Sequence, residues 1–252
     1  MAVAEAYGTR RNGRVAATGA AAQLLLLALL GTAARLGPAG WLAGVAFAAG
    51  APALLVRALH RSRSRSLGPA DRVTLARATL VGCVTALVAD TLTRPPQTAV
   101  LTGLAAVALI LDAFDGRVAR RTGTASELGA RFDMEVDAFL ILVLAVLVAG
   151  SLGAWVLLTG AMRYAFVLAA RPLPWLRGEL PPSTARKTVA AVQGTVLLAA
   201  GAGVLPRPVA YGAVLLALVL LLWSFGRDVG GLWRVRERRT AGTPRDAPRA
   251  NA

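Results

Sequence analysis

Apolar and polar positions alternate along the chain in long blocks. Eight mostly apolar stretches of about 20 residues, the length that an α-helix needs to cross a bilayer, are separated by short polar or Gly- and Pro-containing segments. They lie at roughly 17–35, 41–58, 72–91, 97–119, 130–150, 153–171, 186–205 and 208–226. The pattern predicts an all-α, polytopic membrane protein. The first stretch follows Arg10, Arg11 and Arg14 like a signal peptide, but a second stretch comes soon after it, which favours a retained helix.

Composition supports this class of protein. Of the 252 residues, 56% are hydrophobic and 16% are charged, and the mean hydropathy is +0.59. Such a chain is too apolar for an ordinary soluble domain. Cys83 is the single cysteine, which excludes an intrachain disulfide framework.

The net charge of +15 is carried mainly by arginines in every second connection between the apolar stretches. Basic clusters lie in the N-terminal segment, after the second, fourth and sixth stretches, and in the C-terminal segment. Because cytoplasmic loops of membrane proteins are enriched in Lys and Arg, we predict a multi-pass protein of the cell membrane with both termini in the cytoplasm. The orientation of the chain in the membrane then explains the positive net charge, and no nucleic-acid partner is predicted.

The two ends of the chain are predicted to be cytoplasmic segments. Residues 1–16 form a basic tail before the first two helices at 17–58. Residues 229–252 are rich in Arg, Pro and Ala and have little to bury, which predicts a disordered tail associated with membrane lipids.

Acidic residues are scarce and concentrated in one region. The chain has 13 Asp and Glu residues, and six of them lie between Asp112 and Asp137. A charged side chain at the centre of a spanning helix costs about 2.5–3.5 kcal/mol, so this concentration indicates a bound ligand. Residues three, four or seven apart share one helix face. Two such faces carry paired carboxylates beside small residues: Asp112, Asp115, Gly116 and Ala119 on one helix, and Gly129, Asp133 and Asp137 on the next.

The two carboxylate pairs are predicted to lie at the same depth. Asp112 is 14 residues from Thr98, and Asp137 is 13 residues from Gly150. At about 1.5 Å per residue these separations are roughly 21 Å and 20 Å. Four carboxylates facing one another repel unless cations are bound, and oxygen ligands with phosphate suit Mg²⁺ or Mn²⁺. The sequence therefore predicts a site for one or two metal ions that holds a diphosphate on the cytoplasmic side.

Small residues and an arginine beside the carboxylates have two explanations. Gly116, Gly129 and Ala119 would let a bulky ligand approach the helix backbone, and Arg120 would contact a phosphate or nucleotide. Alternatively, the small residues allow close helix packing and Arg120 is a cytoplasmic anchor. The spacing alone leaves both explanations open.

At these residues the chain resembles the CDP-alcohol phosphotransferase family, or CDP-alcohol phosphatidyltransferases, whose signature is D-x2-D-G-x2-A-R-x8-G-x3-D-x3-D. All eight positions are filled with the family spacing, by Asp112, Asp115, Gly116, Ala119, Arg120, Gly129, Asp133 and Asp137. The family core has six spanning helices, with the motif across the second and third. The resemblance thus implies a six-helix domain at about 67–228, two additional N-terminal helices, and a homodimer.

The resemblance also implies a reaction. Such an enzyme transfers the phosphatidyl group of CDP-diacylglycerol to a polar alcohol in phospholipid biosynthesis and releases CMP. Asp112, Asp115, Asp133 and Asp137 would bind two divalent ions, Mg²⁺ or Mn²⁺, that hold the CDP diphosphate. Asp137 would also act as the general base for the acceptor hydroxyl. Positioning and charge neutralisation supply most of the rate in phosphoryl transfer.

A second part of the resemblance precedes this motif. Family members often begin the first core helix with P-N-x-L-T-x-x-R, and this chain has Pro69-Ala-Asp71-Arg-Val-Thr74-Leu-Ala-Arg77. Thr74 and Arg77 match and are expected to line the CDP site. Asp71 replaces the Asn and is predicted to cap the helix N-terminus.

The acceptor side has less support in the sequence. Family members that act on phosphorylated acceptors often carry G-K-x-x-T-x-x-Q. Here Lys187 and Gln193 keep the spacing, while Arg186 and Ala190 replace Gly and Thr. The partial match favours a phosphorylated polyol, with glycerol 3-phosphate ahead of inositol phosphate. Lys187 is then either an acceptor ligand or an interfacial anchor.

Arg163 is predicted to lie near the middle of the membrane, where an unpaired guanidinium is costly. It would bind an acceptor phosphate, or it would pair with a carboxylate such as Glu135. Glu135 also has Arg131 at a spacing of four residues as a local partner. The sequence does not decide between these pairings.

Two other classes of protein fit part of the pattern. Membrane prenyltransferases also bind a Mg²⁺-diphosphate through two Asp-rich helices, but their second motif usually lies far along the chain, whereas both pairs here lie within 26 residues. A cation transporter or a non-enzymatic cation-binding protein would carry buried carboxylates without requiring the Gly and Ala-Arg spacing. The complete spacing therefore favours the phosphatidyltransferase.

Overall fold

The computed structural model describes residues 2–62, 69–122, 127–178 and 183–241, and for 2–16, 56, 58–62, 69–73, 114–122, 127–128, 177 and 238–241 it describes the backbone alone. This part of the chain forms eight α-helices, two short 3₁₀ segments and no strand. The helices are α1 (Ala2–Ala33), α2 (Pro38–Ser62), α3 (Pro69–Asp90), α4 (Thr98–Thr122), α5 (Glu127–Leu152), α6 (Leu157–Ala169), α7 (Thr184–Gly201) and α8 (Arg207–Ala241). The 3₁₀ segments are Ala154–Val156 and Pro174–Arg177. The all-α prediction is confirmed, and each predicted stretch overlaps one helix.

Three of the described helices are long and apolar enough to cross a membrane. The qualifying segments are Pro38–Leu55 in α2, Gly129–Leu152 in α5 and Arg207–Glu237 in α8. Shorter apolar helical segments occur at Ala17–Ala33, Thr98–Ala113 and Ala154–Ala169. By length and composition the fold is compatible with a membrane protein.

The helix at the centre of the described bundle is α3. It packs against α1, α2, α4 and α5. Its fully buried apolar side chains include Val81, Cys83, Val84 and Ala86. A Cβ on Gly82 would lie 2.3 Å from Gln23 Nε2 and 2.5 Å from a ring carbon of Phe47, so this glycine lets α1 and α2 approach α3 closely. The packing fixes α3, which carries two of the predicted site residues.

The loop between α1 and α2 is hydrogen-bonded to the segment that follows α3. The Gly37 N–H donates to Asp90 Oδ1 at 2.9 Å, and the Asp90 side chain is buried. Arg94 and Gln97 donate to carbonyls of the α1–α2 loop at 2.6 and 2.7 Å. We call these contacts of Gly37, Asp90, Arg94 and Gln97 the loop junction. They satisfy a buried carboxylate and tie the α1–α2 loop to the segment that follows α3.

Both chain ends contain more helix than the sequence predicts. The segment predicted as the N-terminal tail is helical from Ala2, where α1 begins. The prediction of disorder from residue 229 is wrong as far as Ala241, where α8 ends, and residues 242–252 lie outside the described part of the chain. Trp233 packs edge-on against Trp175 with ring centroids 5.3 Å apart, and Arg236 lies over both rings. This long-range packing supports the end of α8, and local composition does not reveal it.

Gly160 sets the approach of α6 to α5. A Cβ at this position would lie 2.4 Å from Leu142 Cα, a backbone contact that no side-chain rotation relieves. We expect Gly160→Ala to destabilise the protein by about 1–3 kcal/mol, the usual cost of overpacking, and to lower its thermal unfolding midpoint in detergent. Gly103→Ala is the matched control, because a Cβ there meets no described atom within 4 Å. Equal midpoints for the two variants would contradict the expectation.

Candidate active site

Thr74 and Arg77 lie three residues apart on one face of α3. Both side chains are buried, and that of Arg77 has 0% exposure. Thr74 Oγ1 donates a hydrogen bond of 3.5 Å to Asp133 Oδ1 on α5, and Arg77 Nη2 lies 3.4 Å from the Asp133 carbonyl oxygen. These contacts join α3 and α5 at the level of the site.

Three carboxylates contact the Arg77 guanidinium. Nη1 donates to Asp112 of α4, while Nη2 lies 2.5 Å from Asp133 and 2.8 Å from Asp137 of α5. One oxygen from each aspartate lies within 4.8 Å of the oxygens of the other two. We call Asp112, Asp133 and Asp137 the carboxylate cluster. Their convergence is the juxtaposition that the helix-depth argument predicts.

The carboxylate cluster is more accessible than the arginine. Side-chain exposures are 39% for Asp112, 34% for Asp133 and 35% for Asp137. Each carboxylate has about four lone-pair positions, so contact with Arg77 does not exhaust its capacity. Hard oxygen ligands grouped in this way suit a cation such as Mg²⁺ or Mn²⁺. The cluster can therefore hold a divalent ion at a position that a ligand can reach.

Four predicted site residues fall where the structure describes the backbone alone. They are Asp115, Gly116, Ala119 and Arg120, on the part of α4 that is helical as far as Thr122. Their side chains lie outside the described residues, and their predicted roles stay predictions. Gly129 lies in the first turn of α5 and is half-buried.

A profile of the CDP-alcohol phosphatidyltransferase family matches residues 68–224, which is more than half of the chain. The chain belongs to this family. Comparisons with curated proteins and with solved structures gave no match. The family match begins one residue before α3 and ends within α8, so it contains Thr74, Arg77 and the carboxylate cluster.

Membership of the CDP-alcohol phosphatidyltransferase family makes this protein an enzyme of the phosphotransferase class. The family resemblance drawn from the eight-position motif is confirmed. The family carries out phosphatidyl transfer in phospholipid biosynthesis, with a CDP-alcohol and an alcohol acceptor as substrates, and it generally uses divalent metals. The accessible oxygens of the carboxylate cluster are consistent with that requirement.

Arg163 of α6 forms an ion pair with Glu135 of α5, and its Nη1 lies 3.0 Å from Met134 Sδ. The sequence left two partners open for Arg163, an acceptor phosphate or a carboxylate, and in the structure Arg163 is paired with a carboxylate. Glu135 takes this partner, 28 residues away, rather than the nearby Arg131. The packing of α6 against α5 brings the distant arginine within reach, which local spacing along α5 cannot indicate.

The two residues that keep the Lys-to-Gln spacing on α7 have different surroundings. Lys187 is exposed, and Gln193 is buried. Gln193 Nε2 donates to the Ala217 carbonyl of α8 at 2.6 Å, so Gln193 holds α7 against α8. Lys187 stays a predicted acceptor ligand, whereas the structure gives Gln193 a packing contact.

Polar contacts close in sequence to Lys187 were not predicted. Arg186 Nη1 lies 3.4 Å from Asp228 Oδ2, and Arg227 Nη2 donates to Ser183 Oγ at 3.1 Å. The partners are 42 and 44 residues apart, so no helical spacing signals them. These contacts join the first turn of α7, which contains Lys187, to α8.

Proposed function

We propose that this family member is an integral membrane enzyme that transfers the phosphatidyl group of CDP-diacylglycerol to a polar alcohol and releases CMP. The observation that carries the proposal is the convergence of three motif aspartates with Arg77 inside the family-matched segment. A diphosphate substrate requires concentrated carboxylates that hold cations, and no other role of the cluster accounts as well for the complete motif spacing.

The donor set fits a divalent metal site, because three accessible carboxylates offer oxygens within 4.8 Å of one another. We assign Asp112, Asp115, Asp133 and Asp137 as the residues that hold two ions, Mg²⁺ or Mn²⁺. When bound, such ions would neutralise the charge of the CDP diphosphate and polarise its phosphoryl oxygens.

Asp137 is the proposed general base. It accepts the proton of the acceptor hydroxyl as that oxygen attacks the β-phosphorus. A P–O bond forms to the acceptor oxygen, and the bond from the β-phosphorus to the bridging oxygen breaks, so CMP leaves with that oxygen. With 35% of its side chain exposed, Asp137 can pass the proton on to solvent.

The residues around the carboxylates are proposed to bind the nucleotide. Arg120 lines the CDP moiety, Thr74 and Arg77 border the CDP site from the buried side of the carboxylates, and Gly116, Ala119 and Gly129 let the nucleotide approach the helix backbones. For Thr74 and Arg77 the support is their direct contact with Asp133. For the residues on α4 the support is their helical spacing from Asp112.

We further propose the arrangement in the membrane. A six-helix domain at 67–228 follows two additional membrane helices at 17–58, and the family match from residue 68 supports this division. Both termini, including residues 1–16 and 229–252, and the active site face the cytoplasm, since basic residues fill every second connection. The enzyme acts in the cell membrane among lipids, as a homodimer and without a nucleic-acid partner.

The proposed acceptor is a phosphorylated polyol such as glycerol 3-phosphate or inositol phosphate. Lys187 is the first candidate for binding its phosphate, because its side chain is exposed on α7 and keeps the motif spacing to Gln193. Arg163 is the second candidate and has Glu135 as its ion-pair partner.

Lys187→Ala is expected to raise the KM for a phosphorylated acceptor about tenfold with little change in kcat, because a charge-assisted hydrogen bond contributes about 1.5–3 kcal/mol. Steady-state CMP release at varied acceptor concentration measures this. Thr188→Ala, at the exposed neighbouring position, is the control. An unchanged KM would make Lys187 an interfacial anchor.

The proposed function is tested with the purified full chain in detergent, CDP-diacylglycerol, Mg²⁺ or Mn²⁺, and a panel of alcohol acceptors. CMP release that depends on one acceptor and stops with EDTA is the expected result. No CMP release with any acceptor, or release that EDTA does not affect, would refute the proposal.

A further inference from the structure

Arg77 is a buried cation in direct contact with the proposed metal ligands. Its side chain is fully enclosed, while the three carboxylates that it touches keep about a third of their surface exposed. A buried guanidinium is stable only when carboxylates and other acceptors surround it. Arg77 has the carboxylate cluster and the Asp133 carbonyl oxygen around it. The helix α3 thus brings a permanent positive charge to the buried side of the cluster.

The carboxyl groups that contact Arg77 are the same groups that would hold metal ions. A carboxylate has enough lone pairs to accept from an arginine and to ligate a metal at once. A positive charge already in contact with the ligands still reduces their attraction for another cation, because like charges a few ångströms apart repel. Arg77 therefore stabilises the three carboxylates and competes with the ions that they bind.

We infer that Arg77 is the built-in counter-ion of the metal site. It holds the carboxylates together, and it keeps their affinity for metal alone low, so that metal ions bind tightly only together with the negatively charged diphosphate. The inference rests on the proposed metal-dependent function. Arg77 then changes the metal affinity of the carboxylates even when no nucleotide is bound.

Removing the charge of Arg77 should have two effects on the protein in the absence of nucleotide. The carboxylates would repel one another without compensation, so the unfolding temperature in EDTA falls. The competing cation would be gone, so the affinity for a divalent ion rises. A residue that only contacts the nucleotide would change neither quantity.

The test uses the full chain in detergent, with Mn²⁺ alone as the probe and no CDP-lipid. Arg77→Gln is compared with wild type and with Arg186→Gln, a matched control that removes an arginine paired with Asp228 outside the carboxylate cluster. Electron paramagnetic resonance of unbound Mn²⁺ gives the affinity, and thermal unfolding is followed in EDTA and in saturating Mg²⁺. For Arg77→Gln we expect Mn²⁺ to bind about tenfold more tightly than to wild type. We also expect a lower thermal unfolding midpoint in EDTA and a larger increase of that midpoint when Mg²⁺ is added.

Unchanged or weaker Mn²⁺ binding by Arg77→Gln overturns the inference. If that variant is not recovered as folded protein, Arg77→Lys replaces it. A shorter side chain with a compact ammonium cannot span carboxylates on two helices as the guanidinium does, so a smaller gain in Mn²⁺ affinity is expected and no gain overturns the inference. Failure of the proposed function gives a different result, since the wild type then releases no CMP whatever the Mn²⁺ affinities of the variants.

Discussion

Asp137→Asn is expected to lower kcat for CMP release by about 10²- to 10⁴-fold, the usual contribution of a positioned general base. The amide keeps the size and one oxygen of the carboxylate, but it cannot accept the proton of the acceptor hydroxyl. The change also removes one negative charge from the carboxylate cluster, so binding of CDP-diacylglycerol should weaken, but by less than kcat falls. CMP release at saturating substrates and equilibrium binding of the CDP-lipid measure the two quantities.

Asp228→Asn is the control for this experiment. Asp228 is paired with Arg186 and Arg227 and lies outside the carboxylate cluster, so its loss should leave kcat near that of wild type. A kcat for Asp137→Asn within a few-fold of wild type would show that the assignment of the base is wrong.

Asp112→Asn and Asp133→Asn are expected to weaken metal-dependent binding of CDP-diacylglycerol at least tenfold. Each change removes one negative charge from the carboxylate cluster. A pair of opposite unit charges about 4 Å apart contributes about 4 kcal/mol at a partly buried site, and tenfold corresponds to about 1.4 kcal/mol. Tenfold is therefore a lower bound on the expected loss of binding affinity.

Binding of the CDP-lipid in Mn²⁺ and in EDTA measures this effect. Wild type should bind the CDP-lipid less tightly in EDTA than in Mn²⁺. The variants should bind the CDP-lipid weakly even in Mn²⁺, and EDTA should lower their affinity little further. The Mn²⁺ affinities of these variants should also fall, opposite to the change expected for Arg77→Gln. Variants that bind the CDP-lipid as wild type does would exclude Asp112 and Asp133 as metal ligands.

The position of the carboxylate cluster follows from the sequence because the geometry of an α-helix is constant. A fixed rise and a fixed period place Asp112 on one helix at the level of Asp133 and Asp137 on the next. The same arithmetic gives the depth of Arg77. It does not give the rotation of α3 about its axis, which depends on side-chain packing at contacts such as that of Gly82 with Gln23. The contact of Arg77 with the carboxylates was therefore found only in the structure.

Two features that the sequence left open or did not indicate depend on partners far apart in the chain. Glu135 has Arg131 one turn away, but its partner is Arg163 on α6. The end of α8 has the composition of a disordered tail, but Trp175 of the Pro174–Arg177 segment provides an aromatic surface for it. Composition and helical spacing describe single segments, and contacts of this kind arise only when segments pack together.

The loop junction has a consequence for the stability of a shortened chain. Asp90 and Arg77 are 13 residues apart on α3, or about 20 Å, so one end of this helix is held by the first two helices and the other by the carboxylates. A chain cut back to the family-matched segment would lose the Gly37 N–H that donates to Asp90 and would uncover the surface of α3 around Gly82. We therefore expect a chain truncated to the family-matched segment to unfold at a lower temperature than the full chain.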